Sequence, residues 1–164
     1  MLEVARAELS VVVCAATPEA LDALAAADGL VLRIAPDEAL VVGPPGTAEA
    51  IVAGAASVTE ADPDALTLDA TDGWTAWRLA GPDARLAFAR LSALRLSDEP
   101  WVQGRVAGVP AKAIVSADAV DVLVPAMWCE HVGALARTTC SDLELRVLDE
   151  PLAWRRPAGE TAAR

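Results

Sequence analysis

"WRLAGPDARLAF" spans residues 77 to 88 and runs from a strand pattern into a helix pattern through Gly81-Pro82-Asp83. Upstream, Trp74 to Leu79 has the aromatic and apolar character of a strand. Downstream, Ala84, Ala87, Phe88, Leu91 and Leu94 recur at helical spacing and mark an inner face. Pro82 has the φ that a first helical turn needs and no amide proton to leave unsatisfied, and Asp83 complements the helix dipole. The stretch therefore predicts a strand ended and a helix begun within three residues.

Similar punctuation continues on both sides. Leu9 to Ala16 reads as a strand, and Thr17-Pro18-Glu19 starts a short helix through Leu21 and Leu24 that Asp28-Gly29 ends. Leu30 to Ile34 and Leu40 to Val42 form a hairpin across Pro36-Asp37-Glu38. Thr47 caps a helix with Ile51, Ala55 and Val58 on one face; Leu66 to Asp69 is a strand, and Thr71-Asp72-Gly73 bends the chain into Trp74. Val102 to Val106, Ala111 to Val115 and Val120 to Val124 read as a meander separated by Gly108-Val109-Pro110 and Ser116-Ala117-Asp118. A helix over about 125–138 and a strand over Leu143 to Leu148 follow. Hairpins alternating with single helices predict an α+β fold: antiparallel sheets with helices packed on one face, and a strand-helix-strand-strand rhythm in both halves. The expected organisation is one domain over 1–148 and a flexible tail over 149–164, which contains Arg155-Arg156-Pro157 and Gly159.

At 164 residues the chain is long enough to bury a core. Its net charge of −11 disfavours attraction to nucleic acid or anionic lipid. No apolar run approaches the roughly 20 residues of a membrane helix. Three cysteines, an odd number, argue against a closed disulfide framework and fit a reducing cytoplasm.

Reactive groups are few. Cys129 and His131, two positions apart on a helix, point about 200° apart around its axis and form no local dyad. With Cys140 they offer three zinc ligands without a recognisable spacing. Asp62, Asp64, Asp69 and Asp72 lack the spacing of a calcium loop. "GPPG" at 43–46 spends its prolines where a phosphate cradle needs amides. Lys112 is the single lysine. No catalytic, cofactor-binding or metal-ligating residue is assigned. Trp74 and Trp77, three apart on a strand, face opposite sides of the sheet. One fills the core, and the other, beside Arg78, has the character of an interface anchor. Trp74, Trp77 and Arg78 are accordingly the candidate partner surface.

"RIAPDEALVVGPP" (33–45) and "LDATDGWTAWRLAGPDARLAFARLSALRLSD" (68–98) together resemble the gamma subunit family of heterotetrameric sarcosine oxidase. The outline matches at Pro36, Asp37 and Glu38 of the hairpin, at Asp69, Thr71 and Asp72 before the strand, and at Gly81, Pro82, Asp83, Ala84, Arg85 and Leu91 of the junction and helix. "GVPAKAIV" and "DVLVPAMWCEHVGAL" look like the family's later strands and final strand-to-helix step. Departures lie at Ala39-Leu40, where the family has an aromatic, and at Pro125-Ala126-Met127, where arginine-serine is common. The family is similar to the folate-binding aminomethyltransferases, whose Lys-Gly-Cys-x-x-Gly-Gln-Glu or Tyr-x-Gly-Glu motif is missing from this sequence. The resemblance implies a cytoplasmic, non-catalytic assembly subunit of a complex for oxidative demethylation of sarcosine. FAD, FMN, NAD and tetrahydrofolate would be held by larger flavoprotein partner subunits. A stand-alone folate-binding one-carbon protein and a binding module with an unrelated partner are the rival expectations.

Overall fold

A computed structural model of the chain describes residues 1–25, 29–96 and 99–156. These form two compact units, the first from Met1–Glu8 and Asp72–Leu152, the second from Leu9–Thr71 and Ala153–Arg156. The span read as one domain over 1–148 therefore holds two units, its strands sorted into two sheets with separate helix-covered cores. Within each unit the α+β reading holds.

The second unit contains β2 (Ser10–Ala15), α1 (Pro18–Asp22), β3 (Leu30–Ala35), β4 (Glu38–Gly43), α2 (Ala48–Thr59) and β5 (Leu66–Asp69), in the sheet order β3-β4-β2-β5. β4 is thus inserted between β2 and β3, a split β-α-β arrangement. Val12, Cys14, Ala39 and Val41 face Leu21, Ile51 and Ala55 from the helices. The predicted hairpin forms as read, with Pro36 and Asp37 at its turn. β5 is an edge strand whose Leu66 and Leu68 are exposed. Asp28, expected to end α1, lies outside the described residues.

The first unit contains β1 (Leu2–Glu8), β6 (Trp74–Ala80), α3 (Ala84–Leu91), β7 (Trp101–Val106), β8 (Val109–Val115), β9 (Ala119–Pro125), α4 (Cys129–Thr139) and β10 (Leu145–Ala153). Its six strands lie in the order β10-β1-β6-β9-β8-β7, and the ladders from β1 to β7 are antiparallel. Strand alternation sends Val120, Val122 and Val124 of β9, with Trp77 and Leu79 of β6, toward Ala87, Phe88, Leu91, Val132 and Ala136 of α3 and α4. The opposite face of the central strands carries Ala76, Asp121, Leu123 and Ile114, which are also buried. Both faces are covered, so β9 reads as a near-continuous apolar run.

Four features differ from the sequence reading. β1 was not expected, since Glu3, Arg6 and Glu8 interrupt its apolar positions and only Leu9 separates it from β2. α3 starts at Ala84 with Asp83 at its N-cap, leaving Pro82 in the preceding turn instead of the first helical position. Gly81 has φ +99° and the space its Cβ would fill lies 2.7 Å from the Met1 carbonyl oxygen, so the turn requires glycine. The β7–β8 turn is Ala107-Gly108, both left-handed, as a two-residue hairpin demands, so that Val109 and Pro110 belong to β8. Finally, β10 continues to Ala153 and Trp154 is fully buried, which corrects the flexible tail for 149–154; residues 157–164 lie outside the described set.

The packing of α4 on β6 generates a stability prediction. A Cβ on Gly133 would lie 2.2 Å from the Trp77 ring. Gly133→Ala gains about 1 kcal/mol of helix propensity but overpacks a fixed ring, which costs about 1–3 kcal/mol and toward the upper end at so short an approach. Chemical denaturation should therefore show a net loss, while Gly54→Ala in α2, with open space around its Cβ, should gain stability. A gain at both positions would contradict the packing.

Candidate functional site

The sequence nominated Trp74, Trp77 and Arg78 on β6. Their alternation is as expected, but Trp77 is the inward residue, only 4% exposed. Its Nε1 donates to the Cys129 carbonyl at 2.9 Å, Gly133 packs against its ring, and the Arg137 guanidinium lies 5.7 Å from the ring centroid. Trp77 is therefore a core residue and its nomination as an interface anchor is corrected.

Arg78 points to the other face and lies opposite Asp121 of β9 in register, with Nη1 3.6 Å from the carboxylate. Asp121 is buried and Arg78 is 25% exposed. The Arg78 guanidinium thus supplies the cation that the buried Asp121 carboxylate requires. Trp74, half-buried, lies beneath the Lys112 ammonium, 4.6 Å from the ring centroid.

The family-motif residues occupy turns and caps. Pro36 accepts a hydrogen bond from Arg33, and Asp37 accepts one from the Ala16 amide through its backbone carbonyl. Glu38 opens β4. The Asp69 carboxylate accepts the Thr71 amide at 2.9 Å, and hydrogen bonds from Thr71 hold this carboxyl below its ordinary range. Asp72 is exposed in the 3-10 turn Thr71–Gly73. The Asp83 carboxylate lies 2.8 Å from the Met1 amino group. Pro82 and Arg85 are exposed. Together they shape backbone; they do not converge on one point.

Cys129 and His131 are indeed directed apart. The Cys129 thiol sits 3.6 Å from the Thr75 hydroxyl, whereas His131 Nε2 donates to the Ala107 carbonyl at 2.8 Å. All three cysteines are free and buried. Burial raises the thiol pKa of Cys14 and of Cys140, outweighing the opposing effects of Thr67 and Arg90 respectively. Among the described residues no group of three His, Cys, Asp or Glu could hold a metal ion, and no helix is long and apolar enough to cross a membrane.

A surface that sequence reasoning missed lies on α4 and the 3-10 turn leading into it. Met127 is 81% exposed, and Trp128 and Leu135 are each 36% exposed. Trp128 makes an edge contact with the His131 ring at 5.9 Å between centroids. Positions 128, 131 and 135 follow the i, i+3, i+7 spacing of one helix stripe, while Val132, Gly133 and Ala136 form the buried face. That spacing was the available signal. It is masked in the sequence because the polar His131 sits in the middle of the stripe.

Comparison with solved structures finds a chain of the heterotetrameric sarcosine oxidase from Corynebacterium sp. U-96, solved in complex with pyrrole 2-carboxylate. The TM-score is 0.70 at 16% identity, with 88% of this chain and 87% of that chain covered. Near-equal coverage means that the matched chain is about as long as this one. The shared fold comes from the same complex whose gamma subunit family the sequence motifs resemble. The ligand-free regulatory subunit of aspartate kinase from Thermus thermophilus aligns at TM-score 0.49 and 11% identity, over 86% of this chain and 97% of that one, a likeness too slight to carry an argument. No protein-family model and no curated protein matches the sequence.

Two outcomes follow from this geometry. Arg78→Ala should lower unfolding free energy by about 3 kcal/mol, the lower end for breaking a buried ion pair since Arg78 keeps part of its surface in water; a change near zero in chemical denaturation would refute the pairing. In the folded protein at neutral pH, an aromatic disulfide reagent should label no thiol rapidly, and all three should react after unfolding. A fast-reacting thiol in the native protein would contradict the burial described.

Proposed function

We propose that this chain is a small, non-catalytic assembly subunit of a sarcosine oxidase-like heterotetramer, of the gamma-subunit kind. The observation that carries the reading is the coincidence of two independent signals: the motif outline over 33–45 and 68–98, and a fold match of nearly equal length to a chain of that complex. In this reading the complex carries out oxidative demethylation of sarcosine in the cytoplasm. The larger flavoprotein chains hold FAD, FMN, NAD and tetrahydrofolate. The fold is a relative of the folate-binding aminomethyltransferases that lacks their polar ligand loop.

The engagement of its reactive side chains supports a contact role. Lys112 is stacked on Trp74, Arg78 faces Asp121, Cys129 meets Thr75 and His131 holds the Ala107 carbonyl. A nucleophile needs a general base within hydrogen-bond reach, and the single histidine lies against a backbone carbonyl instead.

The purified chain should be colourless, should not turn over sarcosine and should give no calorimetric signal with tetrahydrofolate. Co-expression with the large flavoprotein chains from the same source should yield one species on gel filtration. Clean separation of the chains would reject the subunit reading. Tight tetrahydrofolate binding by the isolated chain would favour the stand-alone one-carbon alternative.

A further inference from the structure

We propose that the open edge of β5 takes up an extended segment of another polypeptide as an added strand, and that this segment carries Lys or Arg beside its apolar residues. The proposal goes beyond the subunit reading and does not depend on it.

Backbone geometry fixes the form of the occupant. β5 is the edge strand next to β2 in the four-stranded sheet. The Ala70 amide donates to the Val11 carbonyl, and the register sets Leu68 opposite Val13 and Leu66 opposite Ala15. In an antiparallel ladder the pairs that exchange hydrogen bonds recur at every second residue. Leu66 and Leu68 therefore turn their N–H and C=O groups toward β2, and Thr67 and Asp69 turn theirs away from the sheet. Outward amides and carbonyls at strand spacing are matched by another strand.

Side chains fix its apolar character. Leu66 and Leu68, 56% and 54% exposed, share the face opposite Thr67, whose hydroxyl meets the Cys14 thiol. Protected edges carry charge or proline at such positions. This one presents two leucines to whatever lies alongside.

Charge fixes the sign. Glu60 and Asp64 before the strand and Asp69 at its end are exposed, and Asp62 is half-buried. Asp62 accepts the Thr17 and Asp64 amides and Asp69 accepts the Thr71 amide, bonds that leave the carboxylate charge in place. Among the described residues no ion pair involves any of the four. Pairing β5 with its own copy would bring carboxylates to carboxylates in either orientation, between chains of net charge −11. The same acids attract a segment bearing Lys or Arg.

The test uses the full chain and a short synthetic peptide that alternates valine with lysine. A peptide with glutamate in place of lysine and a fully N-methylated lysine peptide serve as comparisons. Fluorescence anisotropy should show the lysine peptide binding at least about tenfold more tightly than either. Glu60→Lys combined with Asp64→Lys should reverse the preference between lysine and glutamate. Leu68→Ser should raise Kd for the lysine peptide about tenfold, and Met127→Ser in the other unit should leave it unchanged. All four substituted side chains are exposed, so circular dichroism should match wild type. On binding, amide exchange should slow most at Thr67 and Asp69. Equal binding of the three peptides, or no binding, would overturn the proposal, as would an N-methylated peptide that binds as tightly as its parent. A dimer in sedimentation that Leu68→Ser abolishes would give the edge to a second copy instead. Each of these results leaves the subunit reading standing, because that reading is decided by gel filtration of the co-expressed chains.

Discussion

The contact between Trp77 and α4 is the constraint on which the first unit depends. The indole fills the space left by the absent Gly133 side chain and donates to the Cys129 carbonyl at the helix start. Ring and hydrogen bond together fix both the position and the rotation of α4 on the sheet. Once Val132, Gly133 and Ala136 face inward, the spacing of a helix leaves Trp128, His131 and Leu135 on its flank and outer side. The exposed patch is a geometric consequence of the buried one.

Much of the architecture was legible because the chain punctuates its elements with residues of restricted or permissive backbone. Pro36-Asp37 marks the β3–β4 turn, Pro18 starts α1, and Gly81 supplies the left-handed φ before α3. β1 was hidden for the opposite reason: its charged residues alternate with apolar ones that are buried, and no turn residue divides it from β2. Two sheets rather than one domain were equally hard to read, since which strands pair is a long-range outcome that local periodicity does not encode.

The functional residues were legible only in part. Strand alternation correctly separated Trp74 from Trp77, yet it carries no sign for which side is inward. The helices decide that, and they cover the Trp77 side. Arg78 looked like a free planar donor because its partner, Asp121, lies 43 positions away in the chain and meets it only through the β6–β9 ladder. The fold match is to a chain of the heterotetrameric sarcosine oxidase whose gamma subunit family the motif outline resembles, and Lys112, Cys129 and His131 are each engaged within the fold.

The most direct measurement is amide hydrogen exchange across the isolated chain. With Trp77 seated against Gly133 and bonded to the Cys129 carbonyl, the amides of α4 and β6 should rank among the slowest to exchange, and those of the edge strand β5 should exchange sooner. Exchange in α4 and β6 as fast as in β5 would contradict the account.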